Sequence, residues 1–259
     1  MYTHHYHSLS SNIICVFCSN NLSRFRFINC LGSEPCANDQ KFERLAPNTF
    51  SNMTNLKILK MSGIRLDHLS RETFKGSSQL EELHLDHSEL VTIEDETFLQ
   101  LTNLRLLDLS FNPGLKSLNP PVFEGLTSLE TLNFAYSWEA LAYNKSRLLS
   151  LEENMLVQLH NLKHINLTCA LYPYCTAMID FSLPLDPNLL NGVEALQVLD
   201  LSNNALAPWN GDIFQNNTNL THLYLNNNNL VTLLAQLFQE TCQCTINLFY
   251  RLKGVPRKG

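Results

Sequence analysis

A nine-residue frame recurs along this chain and limits what the chain can fold into. In its clearest form it runs Leu104-Arg-Leu-Leu107-Asp-Leu109-Ser-Phe-Asn112, with Leu at positions 1, 4 and 6 and Asn at position 9. The same spacing returns at Leu196, Leu199, Leu201 and Asn204, and again at Leu220, Leu223, Leu225 and Asn228. Looser copies open at Leu22, Leu56, Leu80, Leu129 and Leu162. Successive openings lie 34, 24, 24, 25, 33, 34 and 24 residues apart. A second apolar anchor precedes each later opening by six residues: Phe50, Phe74, Phe98, Phe123, Leu156, Leu190 and Phe214, with Phe238 next in line. A third follows the frame at Leu69, Ile93, Leu118, Trp209 and Leu233. Three independent positions in register rule out chance, and a period of this size means a stack of supersecondary units.

The physics of one unit follows from its pattern. Positions 1, 4 and 6 belong to a short strand, and alternation with period 2 points residues 4 and 6 inward. Each strand pairs with the strand of the next unit, so a long parallel sheet forms on one side. Asn at position 9 satisfies backbone groups where the chain turns away from the sheet. The Phe and the later Leu close the core from the opposite side. No unit buries its apolar face alone; its neighbours do that for it.

The frame resembles that of the leucine-rich repeat family, in its 24-residue form with Phe in the second half. The resemblance covers roughly residues 22–241 and implies an α/β solenoid, a curved horseshoe with a parallel sheet on the concave face. Residues 1–21 are expected to be an irregular flank, and residues 242–259 a partial C-terminal cap and tail. Ile64, Ser88, Ser137 and Ala170 replace the position-9 Asn, and Pro113-Gly114 adds one residue after Asn112. Long units occupy 22–55, 129–161 and 162–195. Insertions in a repeat map to surface loops, and loops on a rigid scaffold often bind ligands. Irregular, cysteine-bearing units among regular ones resemble the ectodomains of Toll-like receptors. That resemblance implies innate immune recognition, signalling through a membrane span and cytoplasmic domain outside this sequence, and receptor pairing. Two other readings stay open: a secreted or matrix protein that binds proteins, and an intracellular adaptor.

Eight cysteines fall in close pairs. Cys15, Cys18, Cys36, Cys169, Cys175, Cys242 and Cys244 are disulfide candidates, which suits an oxidising compartment. Cys30 sits at position 9 and reads as a packed thiol. Sequons at Asn21, Asn52, Asn144, Asn166, Asn216 and Asn219 are glycosylation candidates. The start, Met1 to His7, has no basic region, and the apolar run Ile13–Phe17 is too short for a signal sequence. The expectation is an extracellular or cell-surface segment whose leader lies outside this sequence.

Charge and motifs narrow the function. A net charge of −6 without a basic stripe gives no nucleic-acid signature. No nucleophile elbow, phosphate-binding Gly loop or zinc motif is present, so no enzyme, cofactor or metal is expected. The pair His84-x-Asp86 is too few ligands for a metal centre. Binding is expected on the concave face and in the long loops, at His84, Asp86, Asp108, Phe111, Tyr136, Trp138, Tyr172, Tyr174 and Tyr224. Rigid aromatic side chains of this kind dominate binding hot spots. The expected partner is a protein or microbial ligand.

Overall fold

A computed structural model describes most of residues 42–137, together with 150–151, 155–170, 185, 188–207 and 213–230 apart from single positions. It also describes the backbone of the strands at 4–9, 12–18, 24–27 and 245–247. The recurring frame builds the parallel part of one sheet of eleven strands. The parallel part runs in chain order through Arg24–Phe27, Ile58–Lys60, Glu82–His84, Leu106–Asp108, Thr131–Asn133, His164–Asn166, Val198–Asp200, His222–Tyr224 and Thr245–Asn247. Register is kept throughout: Leu59, Leu83 and Leu107 are paired in sequence, as are Leu132, Ile165, Leu199 and Leu223. From Ile58–Lys60 to His222–Tyr224, the central residue of each of these strands is buried between two more exposed ones, as alternation requires.

The opposite wall is built by the second anchor. Phe50, Phe74 and Phe98 stack at centroid distances of 5.8 and 5.9 Å. Phe123 meets Phe134 edge-on at 6.1 Å. Each such buried ring or leucine contributes about 1.5–3 kcal/mol of apolar transfer. Leu156, Leu190 and Phe214 continue the wall, and Leu69, Ile93 and Leu118 are buried behind the strands. These last three also lie in two short outer sheets. One pairs Phe42–Arg44, Leu66–Leu69 and Thr92–Ile93; the other pairs Ser117–Leu118 with Ser150–Leu151.

Position 9 ties the two sides together. Asn112 donates from Nδ2 to the carbonyls of Leu85, Leu109 and Ser110. Its Oδ1 accepts from the amides of Ser88 and Leu90. Asn204 and Asn228 do the same work further along. Where Ser replaces Asn, the hydroxyl keeps part of the donor role: Ser88 Oγ shares its proton between Met61 O at 3.0 Å and Asp86 O at 3.2 Å, and Ser137 Oγ donates to Leu109 O at 2.8 Å.

Both ends differ from expectation. The flank read as irregular carries the strands His4–Leu9 and Asn12–Cys18, an antiparallel hairpin that pairs with Arg24–Phe27. The run Ile13-Ile14-Cys15-Val16, β-branched at three of its four positions, suits a strand. Its pairing covers an edge that the first repeat would otherwise leave open. At the other end Thr245–Asn247 adds a parallel strand in frame with His222–Tyr224, so the sheet continues into the segment read as a cap.

Candidate ligand-binding face

The outward positions of the parallel strands form rows across the sheet, and each row has its own chemistry. Position 2 is a charge ladder. Lys57 Nζ lies 2.6 Å from Glu81, Lys163 Nζ lies 3.1 Å from Glu130, and Arg105 lies 3.9 Å from Glu130. Three cations thus share two carboxylates along the row. Hydrogen bonding to Lys57 holds the Glu81 carboxyl below its ordinary range.

Position 5 works on its own backbone. Asp108, Asn133, Asn166 and Asp200 each accept from the amide two residues on, at 2.8–3.0 Å. The residue type here is thus partly a turn requirement. Asn166, one of the sequons, lies on this row with a half-buried side chain.

Position 8 is where the chain leaves the strand. Gly63, His87, Phe111, Tyr136, Cys169, Asn203 and Asn227 occupy it, and all have φ between 54° and 74°. The cause is a backbone ladder. Each of the first six gives its amide to the position-7 carbonyl of the next repeat, for example Phe111 N to Ala135 O and Tyr136 N to Thr168 O, both at 2.8 Å. The left-handed geometry therefore belongs to the position and not to the residue. Gly and Asn accept it readily, while an aromatic residue is held there at a cost of about 1–2 kcal/mol.

Three neighbouring repeats place rings at this position. His87 stacks on Phe111 at 4.2 Å and 11°, and Phe111 on Tyr136 at 4.9 Å and 15°. Identical φ and one strand spacing per step bring the rings face to face. Phe111 is 41% exposed and Tyr136 44%, although neither serves the core. Of the residues singled out from sequence, Phe111 and Tyr136 are thus brought together. His87, left out of the predicted site, completes the column. The signal was present, since all three share position 8.

Beside this column lies an acidic floor. His84, Asp86 and Asp108 bring ligating atoms within 4.8 Å of one another. Asp108 comes from the repeat after the His84-x-Asp86 pair, so the third group that the sequence pair lacked is supplied across the sheet. Both carboxylates already have partners. Asp86 accepts from Ser62 Oγ at 2.7 Å and from His87 Nδ1 at 3.1 Å, and Asp108 holds its turn. His84 Nε2 lies 3.5 Å from Glu82. Burial works to raise the Asp86 carboxyl, but the hydrogen bonds from Ser62 and His87 outweigh it and hold it below its ordinary range.

The sign of that shift sets a pH dependence. A carboxyl depressed in the folded state stabilises above its unfolded pKa and loses that contribution as pH falls through its folded one. Melting temperature is expected to fall on acidification from about pH 5 to pH 3, and to fall less steeply in Asp86→Asn. Parallel acid melting curves for the two proteins would show that the depressed carboxyl is not Asp86.

The remaining predicted residues lie apart. Tyr224 is half-buried and stacks with His222 at 6.4 Å, away from the column. Trp138, Tyr172 and Tyr174 fall outside the described residues, as do Cys36, Cys175, Cys242, Cys244, Asn21, Asn52 and Asn144. Cys15 and Cys18 are placed by backbone alone. Cys169 is buried and disulfide-bonded. Asn216 and Asn219 are exposed.

Comparison with known proteins agrees with this geometry. A family model described as leucine rich repeat matches residues 38–90 and 78–136. Human Toll-like receptor 9 is 34% identical over 113 residues, covering 37% of this chain and 11% of the receptor. Human Toll-like receptor 3 is 26% identical over 196 residues, covering 74% of this chain and 20% of the receptor. The chain thus spans a small part of these relatives. Among solved structures, a TLR13–ssRNA13 complex superposes with a TM-score of 0.61 at 27% identity, over 77% of this chain and 27% of that one. Human 5T4, a trophoblast glycoprotein, superposes with a TM-score of 0.62 at 22% identity, over 90% of this chain and 78% of that one, which speaks for the fold alone. Repeat, sheet and relatives together define a leucine-rich repeat solenoid. Its array resembles part of a Toll-like receptor ectodomain. Among the described residues no helix is long and apolar enough to cross a membrane.

Proposed function

We propose that this chain is a recognition segment of a Toll-like receptor ectodomain and works at the cell surface in innate immune recognition. In this reading its ligand docks on the concave face at the edge made by His87, Phe111 and Tyr136. The observation that carries the proposal is that column: exposed rings stand at left-handed positions that the core does not need filled. Contiguous exposed apolar surface on a solenoid marks a contact site. Glycans on Asn216 and Asn219 and a bond between Cys169 and Cys175 fit the same extracellular setting, as does pairing with a second receptor chain.

The test uses the full-length product of the same locus in reporter cells, challenged with microbial and protein ligands. The double variant Phe111→Asn, Tyr136→Asn is expected to reach the surface normally and to lose about tenfold in response, a hot-spot loss. An unchanged response overturns the site. A product with no membrane span and no cytoplasmic signalling domain overturns the receptor reading and leaves a secreted or intracellular binding protein.

A further inference from the structure

We infer that the edge beside the aromatic column docks a basic polypeptide segment, one that sets an apolar side chain next to an arginine. This rests on the reading of that face as ligand-binding and adds the chemistry of the ligand. The column offers an apolar strip two centroid steps long, 4.2 and 4.9 Å. That is the reach of about three extended residues. Charge decides what lies along it. On positions 3, 5 and 7 of the repeats opening at Leu56, Leu80 and Leu104, Glu82, Asp86 and Asp108 stand against the single cation Lys60. The cations of position 2 offset these carboxylates only in part: Lys57 is matched to Glu81, and Arg105 and Lys163 share Glu130, so one positive charge is left over, and with Lys60 two cations stand against three carboxylates.

A phosphate backbone would meet uncompensated negative charge here, which disfavours nucleic acid. A cation is drawn in. The convergence of His84, Asp86 and Asp108 within 4.8 Å suits a planar guanidinium, which spans two carboxylates with its fork of donors. An adjacent apolar residue then covers the ring edges of Phe111 and Tyr136 and excludes water from the ion pair. An extended polypeptide carries both groups at this spacing.

The test is fluorescence polarisation on the full chain with labelled octapeptides of alternating Arg and Leu, Glu and Leu, or Arg and Gly, and with a single-stranded RNA oligonucleotide. The Arg-Leu peptide is expected to bind, more weakly as salt rises; the Glu-Leu peptide should not bind, and the Arg-Gly peptide should bind more weakly. Asp108→Asn removes the charge and keeps the turn acceptor, as Asn133 and Asn166 do in their own repeats. It is expected to weaken binding about fivefold. Phe111→Asn with Tyr136→Asn should weaken it about tenfold. Asn already fills this backbone position at Asn203 and Asn227, so these variants are compatible with the fold. Asp95→Asn makes the same charge change on the outer side, where Asp95 accepts from Asn119, and should leave binding unchanged. No binding of the Arg-Leu peptide, equal loss in Asp95→Asn, or displacement of the peptide by the RNA would overturn the inference. If the peptide fails while the ring variants still blunt the receptor response, the proposed function stands and only the ligand chemistry falls.

Discussion

Asn112→Ala is expected to destabilise the chain by about 4 kcal/mol, because two buried amides lose their acceptor at about 1–3 kcal/mol each. Those amides belong to Ser88 and Leu90, and Asn112 is itself fully buried. The carbonyls of Leu85, Leu109 and Ser110 lose a shared donor in the same step. Position makes the loss worse. The neighbouring repeats carry Ile64, Ser88, Ser137 and Ala170 at this place, and none of these can reach both ways. Asn112 is the one full amide in that run. Asn112→Ser is expected to lose roughly half as much, since Ser88 and Ser137 show that a hydroxyl keeps part of the carbonyl bonding. Urea unfolding of the full chain measures both. A cost for the alanine variant within the ordinary surface range would mean that water takes over the ladder.

Gly125→Ala is expected to cost a similar amount, by a steric route. Gly125 has a φ of +87°, where a Cβ alone costs roughly 1–2 kcal/mol. The added atom would also stand 2.1 Å from the carbonyl oxygen of Leu99 and 2.5 Å from its carbon. Both are backbone atoms of the preceding repeat, so relief requires moving one repeat away from the next. Overpacking of that kind costs about 1–3 kcal/mol more, giving a sum of about 4 kcal/mol. Gly76 is the natural comparison, with φ +84° but a nearest contact of 3.1 Å to Ser51 O. Gly76→Ala should show the conformational part with little of the clash, roughly 1–2 kcal/mol. Equal losses in the two variants would show that the repeats slide apart at no cost.

The candidate site was legible in part. Phe111 and Tyr136 stood out as apolar residues at an outward position, and Asp86 and His84 as polar ones on the same face. The frame gives His87, Phe111 and Tyr136 the same position 8, 24 and 25 residues apart, but the stacking of their rings is not written in it. That follows only when the position-8 amide of one repeat is bonded to the position-7 carbonyl of the next, which sets φ and stacks the rings. Asp108 likewise meets His84 and Asp86 across the strand boundary and not along the chain. The terminal hairpin was missed for another reason. Its strand character rests on the open sheet edge that it covers, and no repeat marks it.

What the sequence determined by itself is the periodic part: a solenoid, its inward leucines, its wall of phenylalanines and its buried asparagines. Those features repeat because every unit solves the same burial problem, so each copy confirms the others. The tertiary structure decided everything that belongs to a single place along the stack. Side chains from different repeats become neighbours only once the strands pair in register. The stacked column and the acidic floor therefore appear in space while each contributing repeat, taken alone, carries one ordinary residue.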